Sequence, residues 1–439
     1  MSIASAPQQQ QSSEAFSGPD DRKLILLAIA LAFAARIAAM FLLRTWDFTG
    51  IYGPDKARYA FGNESGSIAY SLAAGHGFSS PFLDRITVPS AWIAPIYPAL
   101  VAGIFKIFGA FTPAAAIASF AMNSAFSALT CIPLYCAGRR TVGRRVALWS
   151  MFLWALCPLF WRWAVTWVWD MCLSALLFTC AFWFALRLRE GAGKREWAAF
   201  GALWGVCALV NPGMLIFSVV SALWAAWPQL RSPRGWLRTA ILSGVVAVAV
   251  ISPWLVRNRI ALGHWVFVRD NFPFEFSLGN FHNSNGMGWA GMHPAVNPHL
   301  MAEYIQKGEV EFIRHHGALA MQFVREYPGE FLRLCAHRFI AFWDGEYILY
   351  SVQALEWWSP WVHGLLSLLT LVGAVFALSR RVTAAWMYTL GILLYPLPYY
   401  LTYPQTRYRH EVEPLMLLLS VYLFQQLWRE FRRARASQS

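Results

Sequence analysis

Charge is scarce in this chain of 439 residues: only 13% are Asp, Glu, Lys or Arg, while 57% are hydrophobic and 16% aromatic. A soluble domain rarely combines so much apolar content with so few charges. Sequence signals for several chemistries are also missing. No Walker A loop occurs, and no GxGxxG follows a strand pattern, so nothing marks a nucleotide site. HExxH and GxSxG are absent, and the ten His show no ligand spacing. The seven Cys include no CxxC, and all but Cys335 lie inside apolar runs. They read as small buried hydrophobes, not as a disulfide framework or metal site. The net charge of +13 is spread between apolar runs without a basic stripe, which argues against nucleic acid.

What the sequence does contain is a series of long apolar runs, the mark of a polytopic membrane protein. Residues 1–23 form a Gln/Ser/Ala-rich cytoplasmic tail expected to be disordered. Leu24–Leu43 reads as a retained signal-anchor with Arg36 inside it, either snorkelling or facing the bundle. Further spans are expected over 112–137, 145–161, 171–186, 198–210, 212–227 and 239–256, then 358–378, 384–400 and 412–427. The fold class is thus all-α, with about ten transmembrane helices and two long extracytoplasmic loops carrying short helices. The expected units are a transmembrane module over 24–256 with its first loop at 44–112, an extracytoplasmic region over 257–353, C-terminal helices over 354–428, and a basic tail over 429–439. Residues 94–108 carry Pro95, Pro98 and Lys106 and read as a helix at the membrane surface.

The distribution of basic residues orients the chain. Arg139, Arg140, Arg144 and Arg145 crowd one short loop, and Arg187, Arg189, Lys194 and Arg195 another. The basic C-terminal tail joins them on the cytoplasmic side. The two long loops then face outward, together with Glu64, Asp170, Arg257, Arg259, Arg407, Arg409 and several His. An inner-membrane location with the site facing the periplasm or exterior follows.

The first part of the stretch from Phe61 to Pro98 reads as a short helix capped by Asn63, with Ile68, Ala69, Leu72 and Ala73 on one face and Gly75 and Gly77 ending it. Glu64 is the only carboxylate of that helix. An acid there also suits a plain helix start. Asp170 reads equally as a solvated helix-start acid. The four Arg read equally as interfacial anchors, and His76, His315, His316 and His410 as ordinary loop residues.

Five strings together carry a resemblance. NESGSIAYSLAAGHGFSSPF, SAWIAPIYPALVAGIFKIFG, VWDMCLSALLF, PWLVRNRIALGHWVFVRDNFPFEFSLGN and TRYRHEVEPLMLLLS resemble, in order, segments of the GT-C membrane glycosyltransferases. The closest type is that of the bacterial dolichyl-phosphate-mannose protein mannosyltransferases and aminoarabinose transferases. The resemblance implies an inverting transfer of a sugar from a polyprenyl-phosphate donor to a lipid, glycan or protein acceptor, in contact with membrane lipids. It implies Glu64 as base and Asp170 as a second acid that orients the acceptor or shares a cation. Arg257, Arg259, Arg407 and Arg409 are the candidates for the donor phosphate. Asn63, His76, Trp92 and Tyr97 are the candidates for substrate contact. Two departures stand out. The paired acid of many relatives is Asn63–Glu64 here, so a divalent cation is left open and no cofactor is assigned. Asn211 stands where some relatives carry Lys, which favours a generic sugar transferase over the aminoarabinose branch. The alternative is a lipid or glycan transporter or flippase, for which internal repeats and mid-membrane charges would be expected.

Overall fold

A computed structural model describes residues 19–52, 57–82, 88–228, 233–288, 290–345 and 359–437. The tail over 1–18, Ser232 and the stretch 346–358 lie outside the described residues. Every regular element described is helical, apart from one antiparallel bridge between Ser79 and Pro89.

The first helix, α1 (Pro19–Leu42), is followed by a short α2 (Phe48–Tyr52), α3 (Glu64–Ala73) and α4 (Ile96–Phe108). Then come α5 (Pro113–Leu129), α6 (Cys131–Thr141), α7 (Arg144–Leu156), α8 (Pro158–Thr166) and α9 (Met171–Arg189). Next are α10 (Lys194–Val210), α11 (Leu215–Ala226) and the 30-residue α12 (Pro233–Leu262). The second long loop region holds α13 (Phe272–Gly279), α14 (Pro298–Lys307), α15 (Glu309–Glu326) and α16 (Pro328–Asp344). The chain closes with α17 (Ser359–Ser379), α18 (Ala385–Leu394), α19 (Leu397–Leu401) and α20 (Glu413–Ala436).

Among the described residues, five helices are long and apolar enough to cross a membrane, and a sixth span results if the bent pair α7–α8 counts as one. They cover 19–42, 113–141, 171–189, 237–262 and 361–379. The other four expected spans are helical but differ in detail. α10 has 17 residues and α11 has 12, the 384–400 segment is divided between α18 and α19, and α20 runs on into the charged tail. The connection between the spans expected over 145–161 and 171–186 is also shorter, because α8 continues to Thr166 after a 41° bend.

Local chemistry explains the main boundaries. Thr112 accepts a hydrogen bond from the Ala115 N–H at 3.1 Å, and Pro113 sits at the first position of α5. Gly201 and Gly205 let α10 lie almost backbone to backbone on α12; a Cβ at Gly201 would stand 2.2 Å from the Ser243 carbonyl oxygen. The α7–α8 bend follows from Pro158, which has no N–H for the Trp154 carbonyl. Arg36, fully buried, takes over: its guanidinium donates to the Trp154 and Ala155 carbonyls at 3.1 and 2.9 Å, and to Ser127 Oγ at 2.9 and 3.1 Å. Of its two expected placements, Arg36 therefore faces the bundle.

Asp21 marks one end of α1. It accepts from Arg139 at 2.9 Å, from Arg144 at 2.6 and 2.8 Å and from Tyr135 at 2.6 Å. The far end of α1 leads into the first long loop. The basic cluster and the loops therefore occupy opposite ends of the bundle. A separate apolar cluster under the loops joins Phe78, Phe82 and Trp92 of the first to Phe274, Tyr304 and Phe312 of the second. α4 buries Tyr97, Val101, Ala102 and Phe105 against the bundle and leaves Leu100, Ile107 and Phe108 exposed on its other face.

Candidate active site

The chain enters α3 through a tight turn. Gly62 has φ +77°, and a Cβ there would stand 2.3 Å from the Val168 carbonyl oxygen and against the Trp169 ring. Only glycine tolerates both the conformation and the approach. This contact presses the start of α3 onto the 167–170 turn. Asn63 has φ +37° and makes no side-chain cap; its Oδ1 is buried without a partner among the described residues. The expected N-cap role of Asn63 is therefore corrected. The turn holds the backbone away from the geometry a cap needs.

Glu64 is the first residue of α3, with its side chain 13% exposed. His293 Nε2 lies 3.2 Å from Glu64 Oε1. The Ala295 N–H donates to His293 Nδ1 at 3.2 Å, which places the proton of the neutral ring on Nε2, facing Glu64. Burial alone would lower the imidazole pKa. The hydrogen bond to Glu64 and the charges of Glu64 and Glu275 outweigh it, and the net shift is upward from 6.5.

Asp170 precedes α9, and Ser174 Oγ donates to its Oδ2 at 3.2 Å. Burial pushes this carboxyl up to about 6, opposed by Arg269, the Ser174 bond and Arg407. Glu275, in the first turn of α13, is also raised by burial. Tyr403 Oη donates to it at 2.5 Å and Asn271 Nδ2 at 3.0 Å, and His293, Glu64 and Arg269 lie within electrostatic reach.

Two guanidinium groups complete the cluster. Arg407 sits among the rings of Trp167, Trp169 and Tyr408 at 5.4, 5.4 and 5.1 Å. It donates to Tyr408 Oη at 3.2 Å, its Nε has no partner among the described residues, and Glu64 and Asp170 are both near enough to feel its charge. Arg269 stands between Asp170 and Glu275 electrostatically. So the site gathers three carboxyls, two guanidiniums, an imidazole and two phenols from five separate stretches of chain. Among the described residues, no three His, Cys, Asp or Glu side chains are placed to share one metal ion.

Glu64, Asp170 and Arg407 are thus brought together. Asn63 stands beside Glu64, and the remaining expected site residues are elsewhere. Arg409 is fully buried and donates to the Phe342, Trp343 and His363 carbonyls at 3.4, 3.1 and 3.3 Å. It ties α16 to α17 because its neighbours in sequence turn it the opposite way from Arg407. Arg257 donates to the Ser90 and Phe78 carbonyls and stacks on Trp254 at 4.8 Å, clamping the first loop to α12. Arg259 donates to Gly263 at the end of its own helix. His76 is exposed. Trp92 is core, packed against Phe82, Phe274 and Tyr304, with the His293 ring 6.0 Å away. Tyr97 donates to Asn123 at 2.9 Å, and Asn123 donates to the Trp167 carbonyl at 3.2 Å, so Tyr97 braces the turn that carries Asp170.

Arg269, Glu275, His293 and Tyr403 escaped the sequence reading. Arg269 and Glu275 lie inside the string VFVRDNFPFEF that carried the resemblance, but nothing in its spacing separates them from loop polar residues.

Residues 92–256 match the family model described as dolichyl-phosphate-mannose-protein mannosyltransferase. No curated protein matches the chain. The oligosaccharyltransferase AglB of Archaeoglobus fulgidus, solved with an inhibitory peptide and a dolichol-phosphate, is similar in fold, with a TM-score of 0.52 at 12% identity. The likeness covers 96% of this chain and 52% of AglB. The apo form of that archaeal enzyme gives 0.52 and 12%, over 95% and 51%. ArnT of Cupriavidus metallidurans bound to undecaprenyl phosphate gives 0.43 and 17%, over 91% and 76%. The chain spans about half the length of AglB. The match of residues 92–256 to that family and the fold shared with AglB agree with the resemblance carried by the five strings.

Proposed function

We propose that this protein is an integral membrane glycosyltransferase that moves a sugar from a polyprenyl-phosphate donor to an acceptor hydroxyl. The observation that carries this reading is the pair Arg269 and Arg407, set beside Glu64 and Asp170 at the loop-bearing end of the bundle. Two guanidiniums suit a phosphate, which they can bind through parallel N–H donors. AglB, of the same fold, holds a dolichol-phosphate. The basic cluster at the opposite end supports an orientation with the site outside the cytoplasm.

The reaction is an inverting displacement. The Glu64 carboxylate takes the proton of the acceptor hydroxyl as that oxygen attacks the anomeric carbon. The bond from the anomeric carbon to the phosphate oxygen breaks, and Arg269 and Arg407 stabilise the charge left on the polyprenyl phosphate. His293 holds Glu64 by a hydrogen bond on the side away from the acceptor. Asp170, ionised above about pH 6, accepts a hydrogen bond from the acceptor or sugar and sets its orientation.

The test is transfer by the purified protein from synthetic polyprenyl-phosphate sugars, with nucleotide sugars as controls. Turnover with the lipid donor, lost in Glu64→Gln, is expected. Turnover with a nucleotide sugar alone, or none with any lipid donor across a panel of sugars and acceptors, would overturn the reading.

A further inference from the structure

Arg269 makes no hydrogen bond or ion pair among the described residues, so something other than its own side chain must hold it in place. The next residue supplies the hold. The Asp270 N–H donates to the Ala91 carbonyl at 3.1 Å, and the Ala91 N–H donates to Glu309 Oε1 at 2.5 Å. Tyr304 Oη donates to Glu309 Oε2 at 2.8 Å. The carboxyl of Asp270 faces that of Glu309 within hydrogen-bond reach. Both oxygens of Asp270 are buried, and among the described residues neither is hydrogen-bonded by another residue's N–H or hydroxyl; its own N–H is engaged by Ala91.

The donors are distributed unequally. Glu309, 3% exposed, has an amide and a phenol pointing at it; Asp270 has none. Two ionised carboxylates in contact and out of water are strongly disfavoured, and one proton between them removes the conflict. The group with no donors is the one that keeps the proton, and it then becomes a donor to its partner. Burial and the charge of Glu309 both raise the Asp270 pKa. The other groups facing the pair are Tyr304, the Ser90 hydroxyl and Arg257, whose charge reaches Glu309 from α12.

We propose that Asp270 and Glu309 are positioning residues: a carboxylic acid and a carboxylate sharing one proton, which clamp the second loop onto Ala91 of the first and thereby set Arg269 toward the donor phosphate. The proposal rests on the reading of Arg269 as a phosphate ligand. Neither residue touches substrate. The clamp holds while the proton is present. As pH rises through the titration of the pair, two negative charges face each other, the contact opens, and Arg269 loses its setting.

The experiment measures binding of dolichyl-phosphate mannose to the purified full chain in detergent between pH 6 and 9. This phosphodiester keeps a constant charge over that range. Arg269→Ala is measured first; unchanged affinity would remove the donor reading itself, whatever the pair does. With Arg269 established, wild-type affinity is expected to fall on the order of tenfold towards pH 9. Asp270→Asn supplies a permanent N–H donor in the place of the proton, so it should bind as wild type at pH 6 and keep that affinity at pH 9. Asp270→Ala should bind weakly throughout. Glu309→Gln should also bind weakly, because an amide cannot accept from both Ala91 and Tyr304 while receiving the Asp270 proton. A purely structural contact would give no pH difference between wild type and Asp270→Asn. Parallel pH profiles for those two, or tolerance of Glu309→Gln with loss in Asp270→Asn, would overturn the proposal.

Discussion

His293 Nε2 lies 3.2 Å from Glu64 Oε1, and this contact joins the first long loop to the second at the centre of the site. A carboxylate held by one imidazole N–H keeps its second oxygen free to act as a base. Glu64→Gln preserves size and hydrogen bonding but cannot take a proton. Transfer should fall by roughly 10²–10⁴-fold with unchanged thermal unfolding. His293→Ala should cost about tenfold by freeing the carboxylate, and His293→Gln should recover part of it. Steady-state rates beside unfolding curves check both, and wild-type rates in Glu64→Gln would remove it as base.

The two arginines of the 406–409 turn should separate cleanly. Arg407→Ala should raise the KM for the lipid donor while the protein unfolds as before, with Lys restoring only part, since an ammonium lacks the planar fork. Arg409→Ala leaves three carbonyls without their shared donor, and should lower stability by about 3 kcal/mol. Donor titrations and thermal unfolding of each variant give the answer. The opposite pattern would exchange their roles.

Asp170 supplies a pH dependence. Its carboxyl titrates at about 6 in the folded protein and 3.8 as an ordinary side chain. Raising pH through this window therefore costs native stability, while supplying the charge that orients the acceptor. Transfer should decline below about pH 6, and Asp170→Asn should show a low rate without that acid limb. A full acid limb in Asp170→Asn would assign it to another group.

Arg36 should matter for folding and not for chemistry. Removing it leaves the Trp154 and Ala155 carbonyls at the α7–α8 bend without their donor in a dry interior. Arg36→Ala should destabilise by about 3–5 kcal/mol, measured by thermal unfolding in detergent. A variant as stable as wild type would show that water satisfies the bend.

Orientation can be read with an impermeant thiol reagent. Ser80 is a poor reporter because it is buried, whereas His76 and Asn285 are exposed at the loop-bearing end. Cys placed at either should react from outside in intact cells, and Cys at Gly143 should not. Labelling of Gly143 with protection of His76 would invert the chain.

The all-helical membrane class, the helix beginning at Glu64 and the basic end of the bundle were legible because each depends on local composition or on residues close in sequence. Apolar runs and charge counts need no knowledge of packing. The placement of Asp170 and Arg407 at the loop-bearing end was readable for the same reason, since each precedes a readable helix. The direction of each arginine was not. Arg407 and Arg409 are two residues apart in a 3₁₀ turn, and only the packing of α16 and α17 sends one into the site and the other onto three carbonyls. Arg257 had the right residue type at the right end of α12, but the first loop passes beside it and takes up its guanidinium. Arg269 and His293 lie in irregular chain and Glu275 in the short α13, with no period to read, and they acquire meaning only where the two loops fold together over Trp92 and Phe274. Hydrophobic pattern determines which segments are helices and which end of the bundle they share. Which polar side chains meet there is decided by long-range contacts between loops, whose free energy no local stretch of sequence encodes.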